Sequence, residues 1–274
     1  MRVAALQMTS GADVAANLRA AAQLLGEARE GGASVAVLPE NFAFMGRGER
    51  AKLAVAETPG DGPVQHELRR LARELDLWIV AGTLALKTDR DDQVAAASLV
   101  FDAAGKCVAR YDKIHLFDVD IPDSAESHRE SASVRAGSKV VVVDTPAGRL
   151  GLSVCYDVRF PELYRQMSLQ GAQWYAVPSA FTVPTGRAHW ELLLRARAVE
   201  NLSAVVAAAQ WGRHENGRET WGDSLIVDHW GAVLERRRSG VGVVVAELNL
   251  AEQGAVRQRF PALSHRKLGR DSHD

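Results

Sequence analysis

The sequence predicts a layered α/β sandwich with mixed sheets, and three observations carry that reading. Short runs rich in β-branched residues alternate with longer amphipathic stretches of helix formers. Several neighbouring runs are joined by only a few turn residues, so part of each sheet must be antiparallel. No Pro/Gly/Ser-rich linker divides the 274 residues, which therefore read as one domain, 1–274, with a polar tail from about Ala251 that turns basic near its end.

Taken in order, Arg2–Met8 is an expected strand, followed by a helix from about Val14 to Gly31, where Ala, Leu and Glu dominate. Ser34–Leu38 is a second strand that runs directly into Pro39 and Glu40. Pro63 suits the first turn of a helix through about Leu75, and Leu77–Leu84 returns as a strand. Ala97–Phe101 and Lys106–Tyr111 form a hairpin across Ala103-Ala104-Gly105, a pattern repeated by Lys139–Asp144 and Arg149–Val154. A helix over Phe160–Gln170, a strand over Trp174–Val177, a long helix over Arg187–Leu202 and a strand over Ala204–Gln210 follow. Ser224–Asp228 and Ala232–Arg236 make a last hairpin around Trp230-Gly231, and Gly242–Leu248 closes the set.

Composition narrows the partners. With 33 basic against 34 acidic residues there is no broad pull toward nucleic acid or an anionic membrane, and the basic HRKLGR stretch near the end is too short to change that. No apolar run is long enough for a signal peptide or a membrane span. Two cysteines, Cys107 and Cys155, suit neither a disulfide scaffold nor a zinc site by their spacing, which fits a reduced, cytoplasmic protein. The expected partner is a small molecule.

The chemistry-bearing residues stand at strand ends. Cys155 follows the apolar run ending at Val154 and precedes a short turn and a helix, where backbone N–H groups and a helix terminus would lower a thiol's pKa and hold an oxyanion. A lone cysteine is more commonly a buried structural residue. Glu40 follows the buried Ser34–Leu38 strand, where open sheets place their sites; a cap or a loop salt bridge is the plainer alternative. Lys113 lies just past a hairpin strand among Tyr111, Ile114 and Leu116, which suggests enclosure where a solvated surface lysine would be usual. Glu130 sits in a polar stretch and says little by itself.

Together, LPENF around Glu40, YDKIHLFD around Lys113 and SVCYDVRFPELYR around Cys155 resemble the hallmarks of the nitrilase superfamily of carbon–nitrogen hydrolases, in the family's order. PSAF at Pro178–Phe181, HWELLLRARAVEN at His189–Asn201, VAAAQWGRH at Val206–His214 and the closing RQRFPALSHRK extend the likeness over nearly the whole chain. That resemblance implies an α-β-β-α sandwich, usually dimerised across a helical face or in higher homo-oligomers, and a Glu40–Lys113–Cys155 triad. It also implies a second glutamate, best matched by Glu130 before Ala136-Gly137. The implied reaction is cysteine-dependent hydrolysis of a linear amide through a thioester, with release of ammonia and with no metal or organic cofactor. Glu40 would be the base; Lys113 and the Tyr156 backbone N–H would hold the oxyanion.

Within the family, CYDVRFPEL, AHWELLLRARAVE and VAAAQWGRH are similar to the branch that repairs glutathione whose amino group has become a keto group. The runner-up is the branch of omega-amidases acting on the keto acids of glutamine and asparagine. FDVDIPDSAESHRES is common to both. Either substrate carries carboxylates, so a guanidinium is expected in the pocket. Arg159, four residues past Cys155, is the candidate, with Phe181 and Thr182 as further lining; Arg197 and Glu200 read as buttresses. Asp112, Asp223, His229 and Ala96 depart from the family pattern, and none of them removes a triad member. Two other classes remain: a catalytically silent interaction protein, and a metal hydrolase built on His115, His128, His189 and His214. The latter lacks an HExxH or a tight ligand cluster.

Overall fold

A computed structural model describes residues 1–121 and 126–268. Two sheets lie face to face. The first contains β1 (Arg2–Gln7), β2 (Val35–Val37), β3 (Trp78–Val80), β4 (Leu84–Lys87), β5 (Val94–Phe101), β6 (Cys107–Asp112) and β17 (Gly242–Glu247), in the order β17-β1-β2-β3-β5-β4 with β6 also paired to β5. The second runs β16-β15-β12-β11-β10-β9, from β9 (Val142–Thr145), β10 (Gly148–Leu152), β11 (Trp174–Ala176), β12 (Ala204–Ala207), β15 (Ser224–Val227) and β16 (Val233–Arg237). Short ribbons β7 (Asp118–Asp120)/β8 (Ser127–Arg129) and β13 (Trp211–Arg213)/β14 (Glu219–Trp221) complete the strands.

Each sheet has a parallel trio at its centre, β1-β2-β3 and β10-β11-β12, flanked by antiparallel strands. Parallel strands covered on both faces need apolar side chains in both directions. On the first sheet Val3, Ala5, Val35, Val37 and Val80 point at the second sheet. The alternate positions Ala4, Leu6, Ala36, Leu38 and Ile79 point at helices α1 (Val14–Glu30) and α2 (Pro63–Glu74). The outer face of the second sheet carries α3 (Pro161–Leu169) and α4 (Val183–Asn201), through Leu163, Tyr164, Met167, Trp190, Leu194 and Ala198. The result is the α-β-β-α sandwich.

Three elements differ from the sequence reading. The run Leu77–Leu84 is not one strand: Gly82, at φ 36°, breaks it into β3 and β4. The long helix starts at Val183 rather than Arg187, because Pro184 sits in its first turn, where a missing N–H costs nothing. The polar stretch from Ala251 is more than a tail. Helix α5 (Leu250–Arg259) is capped by the Asn249 side chain, and its Gln253 and Arg257 donate to the Leu202 carbonyl. The stretch FDVDIPDSAESHRES runs through 122–125, which lie outside the described residues, as do the last residues of the basic tail, 269–274.

Candidate active site

The carboxyl ends of the parallel trios converge, and the loops leaving them carry Glu40, Cys155 and Ala180 to one place; Lys113 and Glu130 arrive from the ends of β6 and β8. Glu40 is set by its backbone. Gly82 approaches so closely that a Cβ there would lie 1.9 Å from the Pro39 carbonyl oxygen, and the Thr83 hydroxyl accepts from the Asn41 N–H at 2.8 Å. Gln210 donates to the Glu40 carbonyl at 3.1 Å. Lys113 is set likewise: its N–H donates to the Ala96 carbonyl at 3.0 Å, and its carbonyl accepts from Gly137 at 2.8 Å.

The Lys113 ammonium donates to Glu40 Oε1 and to Glu130 Oε2, both at 2.8 Å. Glu40 Oε2 accepts from the Ala180 N–H at 2.9 Å, and Glu130 Oε2 also accepts from the Phe117 N–H at 2.8 Å. Lys52 stands 3.8 Å from Glu130 Oε1. All four of Glu40, Lys113, Glu130 and Cys155 are buried. An ammonium has three N–H bonds, so two carboxylates leave the third for a ligand. Burial alone would strip the proton from Lys113, but Glu130 and Glu40 hold it well above the usual lysine range. Burial favours the neutral acid at Glu130 too, yet Lys113 and Lys52 outweigh it and bring that carboxyl down to about 2.

Cys155 opens a single 3₁₀ turn, Cys155–Arg159, in the left-handed region at φ 48°. A non-glycine residue there costs about 1–2 kcal/mol, so its surroundings must hold it. They do so through Asp157, a residue the sequence reading passed over. Its Oδ2 accepts from the Val154 N–H at 2.8 Å and the Tyr111 hydroxyl at 2.7 Å. Its Oδ1 accepts from the His115 N–H at 3.0 Å, with His115 Nδ1 at 2.7 Å. Tyr111 and His115 flank Lys113, so one buried carboxylate ties the cysteine turn to the lysine loop. Arg197 closes the far side by donating to the Val158 carbonyl at 2.8 Å and pairing with Glu200, the buttressing expected of them.

The thiol pKa corrects the sequence reading. Helix α3 begins only at Pro161, so its terminus does not reach the sulfur. Burial pushes the Cys155 thiol above its usual range and the neighbouring Glu40 carboxylate adds to that, while Lys113 and the Ala180 N–H pull the other way. The resting group is a thiol beside a carboxylate.

Cys155, Glu40, Lys113 and Glu130 line one narrow cavity of about 30 Å³, with Asn41, Glu49, Lys52, Phe117, His128 and Arg218. Of these, Asn41 and Phe117 sit in the motifs around Glu40 and Lys113, while Glu49, Lys52 and Arg218 gave no motif signal; only the folded chain brings those three in. Tyr156, Arg159, Phe181 and Thr182 form a neighbouring group. The Arg159 guanidinium lies 5.9 Å from the Tyr156 ring and 5.4 Å from the Phe181 ring, with His189 Nδ1 at 3.2 Å. Thr182 is buried as the cap of α4, its hydroxyl on Thr185. The departures fall outside the cluster. Asp112 pairs with Arg110 on the same strand, and Asp223 takes Arg236. Ala96 contributes a carbonyl that any residue supplies. His229 is buried in the turn before Trp230. His115, His128, His189 and His214 are dispersed, and among the described residues no group of three His, Cys, Asp or Glu side chains is arranged to hold a metal ion.

The carbon–nitrogen hydrolase family model matches residues 2–258. The chain belongs to the carbon–nitrogen hydrolases. This hydrolase is 41% identical over 267 residues to the deaminated glutathione amidase of Yersinia enterocolitica, covering 97% of this chain and 93% of that one. It is 43% identical over 266 residues to the deaminated glutathione amidase of a Synechocystis species, covering 96% and 97%. Among solved structures, the Caenorhabditis elegans NitFhit protein superposes with a TM-score of 0.90 at 41% identity, covering 97% of this chain and 65% of the longer worm protein. The hydrolase is therefore a nitrilase-superfamily enzyme that cleaves amides by a cysteine-dependent route, on the sandwich that its residues predict.

Proposed function

We propose that Cys155 is the nucleophile of this hydrolase, Glu40 its general acid–base, and Lys113 with the Tyr156 backbone N–H its oxyanion site. Glu40 takes the thiol proton as the sulfur attacks the amide carbon. Charge developing on the carbonyl oxygen meets the third N–H of Lys113. Glu40 then passes the proton to the leaving nitrogen, the C–N bond breaks, and a thioester remains. Water, deprotonated by Glu40, cleaves the thioester and returns the proton to sulfur. Glu130 keeps Lys113 charged and aimed. The observation that carries this reading is one buried ammonium shared at 2.8 Å by two carboxylates beside the buried thiol.

The substrate favoured is deaminated glutathione, supported by the names of full-length relatives at about 40% identity. Its scissile amide is secondary, so the released amine is cysteinylglycine, which corrects the expected release of ammonia; only a primary amide such as alpha-ketoglutaramate would release ammonia. The omega-amidase reaction is the second reading. Arg159, backed by Tyr156, Phe181 and Thr182, is assigned to the keto-acid carboxylate, because it is the guanidinium on the cysteine's own turn. Cytoplasmic residence is part of the proposal, supported by two free cysteines, one of them the assigned nucleophile.

A homodimer through α4 is the assembly proposed. Leu192 and Val199 share one face of that helix, 68% and 50% exposed, and Trp230 and Phe260 meet edge to face beside it at 5.6 Å.

Turnover of deaminated glutathione and of alpha-ketoglutaramate, with Cys155→Ala as blank, tests the reading. Faster release of cysteinylglycine than of ammonia, abolished in the variant, is the expected result. Turnover retained by Cys155→Ala would remove the nucleophile assignment.

A further inference from the structure

The cavity holding Cys155 does not end at the cluster. Through Asn41, Glu49, Lys52, His128 and Arg218 it opens into a vestibule of about 640 Å³, walled by Phe44–Gly48 on one side and Asn216–Glu219 on the other. The two walls are tied together, since Asn216 Nδ2 donates to the Gly46 carbonyl at 2.8 Å. Ammonia needs no such space. An amine of dipeptide size does.

The vestibule also holds an uncommitted donor. Arg218 Nη2 donates to the Ala180 carbonyl at 2.6 Å, while its Nε is buried without a hydrogen-bond partner. A buried N–H left unpaired is costly, so this guanidinium has hydrogen-bonding capacity that its own chain does not satisfy. Other charges here are more settled. Lys52 faces Glu130, and Glu49 and Glu126 both face His128, at 3.9 and 3.5 Å. Glu219 lies on the exposed rim, as does Arg47. Arg159 belongs to the group on the cysteine's own turn, so the two guanidinium groups address different parts of a substrate.

Resting on the amide hydrolysis proposed above, we infer that the vestibule is the leaving-group subsite and that Arg218 receives the carboxylate of a dipeptide-sized amine. A substrate with a carboxylate at each end would thus be read at both ends, Arg159 taking the acyl part and Arg218 the amine. The Ala180 peptide links the second contact to the chemistry, since its N–H holds Glu40 and its carbonyl holds Arg218.

Deaminated glutathione and its C-terminal carboxamide differ only in the charge that Arg218 would read. Wild-type enzyme is expected to favour the acid over the carboxamide by about 10- to 100-fold in kcat/KM, the range of a charged hydrogen bond. Arg218→Met should collapse that preference toward unity, and Arg218→Lys, which keeps the charge, should retain part of it. Cysteinylglycine should inhibit the wild type competitively and Arg218→Met at least tenfold more weakly. Equal wild-type rates on acid and carboxamide would overturn the inference and leave the hydrolase reading standing. So would an Arg218→Met that slows both substrates by one factor, the mark of a purely structural role through Ala180. No turnover of either compound by wild type would remove the substrate reading and this subsite with it.

Discussion

Two opposite errors are open to a buried lysine: losing its proton, or pairing so tightly with one acid that it cannot serve an oxyanion. Sharing between Glu40 and Glu130 avoids both, because each carboxylate takes one N–H. Lys113→Met should therefore abolish turnover and also cost about 3–5 kcal/mol of stability, since it buries two carboxylates without their cation. Adding Glu130→Gln to Lys113→Met should recover part of that loss, with no recovery of activity; urea denaturation checks both. The same residues govern the thiol. Because burial and Glu40 raise its pKa, the thiolate fraction in free enzyme keeps growing as pH rises past the ordinary cysteine range. Iodoacetamide alkylation of Cys155 should accordingly keep accelerating through pH 9–10, and a plateau near neutrality would refute the assignment. Cys155, Glu40 and Lys113 were legible in the sequence because each follows a strand and sits in an extended motif. Asp157 was not: its four partners come from Val154, Tyr111 and His115, and only tertiary contact reveals that one side chain serves them all.

At the level of elements, hydrophobic periodicity located the long helices and the buried strands to within a few residues, since their spacing is a property of the local chain. It missed what depends on close approach. The sequence reads as a single strand through Gly82, whereas the fold breaks the strand there and lets the Pro39 carbonyl pass where a Cβ would lie at 1.9 Å. Its φ of 36° adds a backbone penalty for any other residue. Gly82→Ala should push the Leu38–Pro39 segment outward and displace Glu40. A fall in kcat of at least about 100-fold is expected, because angstrom-scale misplacement of a reacting group costs that much. Tm should fall as well, and calorimetry beside steady-state kinetics measures both. Gly186 is a second case, flanking Pro184: a Cβ there would meet Trp221 at 2.3 Å. The two residues look like helix breakers together, yet α4 contains both. The ribbons β7/β8 and β13/β14 are three residues per strand, too short to leave an alternation, although the second carries Asn216–Arg218 between its strands.

For the whole molecule, the apolar face of α4 is the feature a lone chain explains least. Leu192, Val199, Trp230 and Phe260 are all more than half exposed or close to it, and Val199 meets the turn at Gly231. Val199→Glu, placing a charge at the centre of that face, is expected to shift the sedimentation coefficient from a dimer to a monomer. Unchanged sedimentation would place the assembly elsewhere. Architecture itself was the most readable level: alternating helices and strands, with hairpins among them, already required stacked layers and mixed sheets. Which ends of the strands would meet was not readable, because that depends on how one sheet is laid upon the other.

That alignment has a further consequence. Glu40 and Lys113 hang from one sheet, and Cys155 and Ala180 from its partner, so the sulfur and the carboxylate proposed to take its proton belong to different halves of the protein. A slip of one strand residue along the seam, about 3.3 Å, would part them while leaving every strand intact. Catalysis thus works as a gauge of sheet alignment, and mild denaturant should extinguish turnover before it alters the far-ultraviolet circular dichroism.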